Sequence, residues 1–482
     1  MNLAEVIDAP TAACPSRAAL LIGDETWTYG DLGEAVAGGT ARLTAEGVRP
    51  GQRVPVIAAS SPLTLVAILA AARLGAAGAA LNPQLTVDEL GRLVELAGLA
   101  GLGVADSGHR DNLETALGAR GTVLTEAELP DQGTGTPEPV GDGDDEALVL
   151  FTSGTTGLPK PVPMPHAVLT GRIRSWCGPF DASAPVAVRI MCVPMFHVGG
   201  LLGLLMSLYS GHTTVIQPRF DAGGWLDLVE RHRVSAAFVV PTMLGRILDH
   251  PDFGRFDLGS LRALSYGAAP ASPDLVARAT EAMPHVAFSN VFGQTETLGA
   301  YTMLSPDDHR HPVRRTSVGR PLPGIQIRVV DQDSGEDAAP GAPGELWVMS
   351  DQNVVPGWLR TGDLARVDTD GYVFPVGRLS DTINRGGEKL GPIEVEEVLR
   401  AHPAVTDAAV AALPDADLGE RVGAAVIVQG QVTIEALRAH CARHLARFKV
   451  PDTMVLVDSL PYDDLGKVRR RSLATMIAER SD

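Results

Sequence analysis

The apolar positions of this 482-residue chain follow two rhythms. Short unbroken runs, Arg53-Val54-Pro55-Val56-Ile57, Glu146-Ala147-Leu148-Val149-Leu150 and Val186 to Val193, have the length of strands buried on both faces. Between them lie stretches of helical character: Leu63 to Leu74, a segment beginning near Ala167, and Leu201 to Tyr209. Thr26-Trp27-Thr28-Tyr29-Gly30-Asp31-Leu32 reads as a strand running into a helix, with Thr28 or Asp31 as the cap. Strands alternating with helices predict α/β architecture. Leu129 to Asp145 turns polar, glycine-rich and acidic, and predicts a loop. The apolar run Pro62 to Leu81 contains Arg73 and several glycines, so it predicts a buried helix followed by a strand and not a membrane span.

Composition narrows the class. The chain is too long for one ordinary core, which predicts two or more domains. A formal charge of -18 argues against a nucleic-acid partner, whose phosphates call for clustered Lys and Arg. An anionic ligand would have to meet local cations, and the strongest run is Lys467 to Arg471. Cys14, Cys177, Cys192 and Cys441 lie far apart, without the spacing of a zinc site or a disulfide framework. Acidic Glu5 and Asp8 near the start do not fit a secretory leader, so a cytoplasmic protein with no membrane partner is expected.

The stretch richest in chemistry is Phe151-Thr152-Ser153-Gly154-Thr155-Thr156-Gly157-Leu158-Pro159-Lys160, directly after the apolar run at 146–150 and before a Pro-rich turn. Gly154 and Gly157 can adopt positive φ and let backbone N–H groups approach an anion; four hydroxyls can donate to phosphate oxygens; Lys160 adds a charge. A Walker loop would need Gly-Lys-Ser/Thr, but here Leu158 and Pro159 separate Gly157 from Lys160, so a P-loop phosphotransferase is disfavoured.

This string resembles the phosphate loop of the adenylate-forming superfamily: acyl-CoA synthetases, aryl-CoA ligases, luciferases and the adenylation domains of peptide synthetases. Further motifs of that family follow at intervals as far as Lys467. The resemblance implies ATP-dependent activation of a carboxylic acid to an acyl-adenylate, with release of pyrophosphate, and then transfer to CoA. The implied cofactors are ATP, Mg2+ and CoA. The implied fold is a large N-terminal α/β region, residues 1–379, made of two sheet-and-helix subdomains and a small β part, followed by a smaller mobile α+β domain, residues 380–482.

Residue roles follow from the same resemblance. Thr152, Ser153, Gly154, Thr155, Thr156, Gly157 and Lys160 would hold the phosphates. His197, in Pro194-Met195-Phe196-His197-Val198-Gly199-Gly200, would border the acyl pocket, where amino-acid-activating relatives carry an Asp; an α-amino acid substrate is therefore disfavoured. Gly267, Ala268 and Ala269 would wall the adenine, with Phe292 near them. Thr295 would donate to the α-phosphate, and Glu296 would bind Mg2+ through oxygen, as hard cations prefer. Asp363 would accept from both ribose hydroxyls and Arg378 would reach the ribose. Gly386 and Gly387 would line the pantetheine passage, and Lys467 would swing in to stabilise charge during adenylation.

Three departures stand out. Asn353-Val354-Val355-Pro356 runs straight into Gly357-Trp358, without the segment on the order of a helix long that relatives place there. Pro161 stands where relatives more often have Gly, and Ser380 falls at the hinge where they carry Asp or Lys. The expected pocket walls, Val198 to Leu202, Ser265 to Ala268 and Asn290 to Phe292, carry no fixed charge and predict an uncharged acyl or aryl tail. Transfer to the phosphopantetheine of a carrier protein, to another acceptor including a nitrogen nucleophile, and a non-catalytic nucleotide-binding role stay open as alternatives.

Overall fold

The computed structural model describes residues 1–57, 60–119, 121–129, 137–152, 159–463 and 466–481. The chain packs into two compact units, Met1–Tyr301 with Ser350–Gly357, and Thr302–Met349 with Trp358–Asp482.

The first unit is built on two sheets. One holds β1 (Arg53–Ile57), β2 (Ala77–Leu81), β3 (Glu146–Thr152) and β4 (Lys160–Pro165) in that spatial order, with Leu102–Ala105 and Thr122–Leu124 beyond β1. All are parallel to their neighbours except β4, which runs back along β3. The expected Pro-rich turn after Lys160 is thus a strand. Pro161, Pro163 and Pro165 alternate along it, which puts the missing N–H groups on one side only. On an edge strand that side needs no ladder partner, so the prolines are tolerated there.

The second sheet follows α1 (His166–Cys177) and contains β5 (Val188–Met191), β6 (Thr213–Ile216), β7 (Ala236–Val239), β8 (Ala263–Gly267) and β9 (Ala287–Gln294). Their spatial order is β9-β8-β7-β5-β6, all parallel, continuing to Ala18–Ile22 and then to antiparallel Glu25–Thr28. Helix α2 (Val198–Tyr209) connects β5 to β6. Both expected caps act at the Tyr29–Ala45 helix: the Thr28 hydroxyl accepts from the Asp31 N–H, and the Asp31 carboxylate accepts from the Thr28 N–H at 2.8 Å. Leu65 and Ile68 of the helix after β1, Leu148 of β3, Leu169 of α1 and Leu205 of α2 belong to one buried cluster. That shared core joins the two sheets and fixes their strand ends.

In the second unit, Gln326–Val330, Gly344–Met349, β10 (Leu359–Val367) and β11 (Val373–Arg378) form an antiparallel meander. Then come β12 (Ile383–Arg385) and β13 (Glu388–Leu390), α3 (Pro392–Arg400), the long hairpin β14 (Val405–Asp415) with β15 (Gly419–Val428), and α4 (Arg470–Ser481). No helix of the described residues is long and apolar enough to cross a membrane.

Candidate active site

In the first unit the candidate residues gather at the carboxyl ends of parallel strands, where open α/β sheets take their ligands. Thr152 ends β3 and stands opposite Lys160, the first residue of β4, so these two phosphate-loop candidates are paired across adjacent antiparallel strands. Ser153, Gly154, Thr155, Thr156 and Gly157 lie outside the described residues.

His197 follows β5 as the N-cap of α2, with its backbone extended and its carbonyl accepting from the N–H groups of Gly200 and Leu201. Its ring lies 4.4 Å from that of Phe196, tilted by 49°. The turn is tied to the other sheet by Ser60, just beyond β1, whose buried hydroxyl accepts from the Met195 N–H at 3.2 Å. Sequence reasoning missed Ser60; its only signal was a hydroxyl three residues beyond a strand end.

Gly267 ends β8. A Cβ there would lie 2.0 Å from the Val291 carbonyl oxygen on β9, so only glycine permits this strand spacing. Ala268 has φ +66°, a left-handed conformation that costs a non-glycine residue on the order of 1–3 kcal/mol. Such strain persists where the surroundings dictate it, and here it turns the chain sharply toward Ala269 at the sheet edge. Phe292, on β9, meets Tyr301 edge-on at 5.2 Å. Beyond β9, Thr295 and Glu296 occupy a single 3-10 turn held by the Thr297 hydroxyl, which donates within the turn and accepts from the Gln294 N–H. The Glu296 carbonyl accepts from the Val354 N–H at 3.0 Å. The stretch at 353–357 therefore runs beside the candidate metal ligand.

Among the described residues no three His, Cys, Asp or Glu side chains cluster as a metal cage. A single carboxylate such as Glu296 fits a cation like Mg2+, which keeps much of its water and is held by one or two carboxylates plus substrate phosphates.

In the second unit, Asp363 on β10 faces Arg378 on β11 across the ladder, and the Arg378 Nε donates to Asp363 Oδ1 at 2.6 Å. The two candidate ribose-binding residues are thus held together by an ion pair, with Asp363 buried. Gly386 and Gly387 link β12 to β13 in a two-residue turn with φ +61° and +95°. Positive φ at both positions explains a Gly-Gly pair on structural grounds alone. Lys467 is exposed at the end of a turn in which the Asp463 carboxylate accepts from its N–H at 2.8 Å. Three residues on, Arg470 donates to Asp381 beside Ser380 and to Glu396 of α3, each at 2.8 Å. Sequence reasoning missed this link, because its partners lie far apart in the chain.

The expected pocket walls, Val198 to Leu202, Ser265 to Ala268 and Asn290 to Phe292, themselves carry no fixed charge. A cavity of about 70 Å3 beneath α2 touches Gly199, Gly200 and Ser265 of the expected walls and extends to Arg189. The charge sits inside a strand whose apolar neighbours hid it.

The profile of AMP-binding enzymes matches residues 8–359, and that of the AMP-binding enzyme C-terminal domain matches 394–467. The chain belongs to the AMP-binding enzyme family. As an AMP-binding enzyme it is of the adenylate-forming kind that its motifs resemble. It is 34% identical over 475 residues to a feruloyl-CoA synthase of an Amycolatopsis species, covering 94% of each. It is similar in structure to the o-succinylbenzoate CoA synthetase MenE of Bacillus subtilis in complex with ATP and magnesium, at TM-score 0.85 and 27% identity, covering 97% of this chain and 99% of that one. It is also similar to the amide bond synthetase McbA of Marinactinospora thermotolerans, at TM-score 0.86 and 29% identity, covering 98% and 99%.

Proposed function

We propose that this AMP-binding enzyme is an AMP-forming acid:CoA ligase. The observation that carries the reading is the convergence of His197, the Gly267–Ala269 turn, Thr295 and Glu296 at the carboxyl ends of one parallel sheet. A carboxylate oxygen of the acid attacks the α-phosphorus of ATP, and the bond from that phosphorus to pyrophosphate breaks. Thr295 and Lys467 stabilise the charge that grows on the α-phosphate oxygens. Thr152 to Gly157 and Lys160 hold the β- and γ-phosphates, and Glu296 would hold Mg2+, which would supply further positive charge there. Asp363 and Arg378 orient the ribose. Residues 380–482 then turn about Ser380, Gly386 and Gly387 guide the pantetheine arm, and the CoA thiol attacks the acyl carbon. The sulfur loses its proton to solvent and AMP leaves with the electron pair of the broken C–O bond.

A second reading keeps adenylation and changes the acceptor to an amine, favoured by the likeness to an amide bond synthetase; the phosphopantetheine of a carrier protein is a third acceptor of the same chemical kind as CoA. Pyrophosphate release from Mg-ATP across a panel of aryl and aliphatic acids tests the shared first step. Release with a few acids, lost in Lys467→Ala, is expected; acid-independent ATP binding without release would point to a binding protein instead.

A further inference from the structure

Arg172 lies midway along α1, the helix that follows β4 and its Lys160, and it is a buried cation, 3% exposed. Its partners are neutral. Nη1 donates to the Gln352 side-chain carbonyl at 2.8 Å, Nη2 donates to the Ala300 backbone carbonyl, and the guanidinium lies over the Trp176 ring, 5.3 Å from its centre. Nε is buried with no hydrogen-bond partner among the described residues. Burial lowers the Arg172 pKa to about 10, which still leaves it charged at neutral pH. A charge taken out of water without an opposite charge beside it is costly. The two acceptors it reaches therefore need a reason.

They flank the candidate metal ligand. Ala300 belongs to the Gly299–Leu304 strand, the neighbour of β9 in the sheet, and the few residues between cannot make a crossover, so the chain doubles back through the turn that carries Thr295 and Glu296. That bend is stiff. Leu298 is buried at φ +50°, and a Cβ on Gly293 would lie 1.9 Å from the Gly299 carbonyl oxygen, so the two sides meet backbone to backbone. On the other flank, Gln352 stands two residues before Val354, whose N–H donates to the Glu296 carbonyl at 3.0 Å. One guanidinium thus grips the returning strand with one nitrogen and the 350–357 stretch with another. Its planar, fixed fork suits two acceptors on separate segments, which the single ammonium of a lysine matches less well.

We propose that Arg172 is a positioning residue that braces the Thr295–Glu296 turn from both flanks, fixes how Glu296 presents its carboxylate, and so sets the preference for magnesium nucleotide over nucleotide alone. The inference rests on the ligase reading above, in which Glu296 holds Mg2+. Mg2+ demands near-ideal octahedral geometry and takes one or two carboxylates, so a small displacement of this ligand weakens its hold.

The test titrates ATP, with Mg2+ and in EDTA, onto wild type, Arg172→Met, Arg172→Lys, Gln352→Leu and the Arg172→Met/Gln352→Leu pair. Wild type should bind Mg-ATP more tightly than ATP in EDTA. Arg172→Met should cut that ratio by about tenfold, while affinity in EDTA, which draws on the phosphate-loop and ribose residues, stays near wild type. Arg172→Lys should recover part of the ratio. Gln352→Leu, at a partly exposed position, should shift it in the same direction, and the pair should lose no more than Arg172→Met alone, because both act through one contact. An unchanged ratio in Arg172→Met and Gln352→Leu, or an equal loss of affinity with and without Mg2+, would overturn the inference. Should Arg172→Met fail to fold, Gln352→Leu decides by the same ratio. A wild type that binds ATP equally with and without Mg2+ removes the metal role of Glu296 and the inference with it. Pyrophosphate release from wild type judges the ligase reading separately.

Discussion

Replacing Arg470 by Met tests whether the junction around Ser380 is held by a buried charge network. The guanidinium bonds Asp381 and Glu396 at 2.8 Å each and also donates to the Val410 carbonyl. Glu396 is 5% exposed and Asp381 is 29% exposed at the side chain. Removing one partner of a buried pair costs about 3–5 kcal/mol, because the other charge stays buried. Glu396 would keep the Val410 N–H at 3.0 Å and Arg400 at 3.7 Å, and water screens Asp381, so the lower end, about 3 kcal/mol, applies. At about 1.4 kcal/mol per power of ten, protection of α4 and β14 amides from hydrogen exchange should fall roughly a hundredfold. Glu396→Gln added to Arg470→Met should recover part of the loss. Wild-type protection in Arg470→Met would refute the reasoning.

Other outcomes follow from the same geometry. Gly267→Ala forces a Cβ against the Val291 carbonyl, backbone that has no flexible end to yield; a loss of about 1–3 kcal/mol and weakened ATP binding are expected, read by thermal melting and nucleotide titration. His166 is fully buried, its Nδ1 accepts from the Leu3 N–H at 2.8 Å, and burial lowers its pKa below the usual 6.5. The unfolded chain therefore binds this proton more readily, so stability should fall as pH drops below about 6.5, and a His166→Gln variant should show a flatter pH profile in urea melts.

Much of the candidate site was legible in the sequence because the chemistry proposed for it demands residue types that packing does not. Glycines beside hydroxyls and a lysine, or a Gln-Thr-Glu turn after a strand, have few structural excuses. The α/β alternation was legible for the same reason that β1 and β3 read as unbroken apolar runs: both faces are covered. What escaped depended on distant partners. β4 looked like a turn because proline is judged locally, whereas its tolerance comes from lying at a sheet edge. Arg189 was hidden within an apolar run, and only the register with Thr214 and Ala236 shows which face it occupies. Arg470 and Asp381 lie 89 residues apart, beyond any local pattern. The Gly386-Gly387 pair carries a different lesson, since its turn requires both glycines whether or not a thiol arm passes.

The most direct measurement supplies purified enzyme with Mg-ATP and an acid that releases pyrophosphate, adds CoA or an amine, and identifies the acyl product by mass. Acyl-CoA formed one for one with AMP, with no amide at matched amine concentration, is the predicted result. An amide in place of the thioester, or acyl-adenylate that accumulates untouched by CoA, would contradict the account.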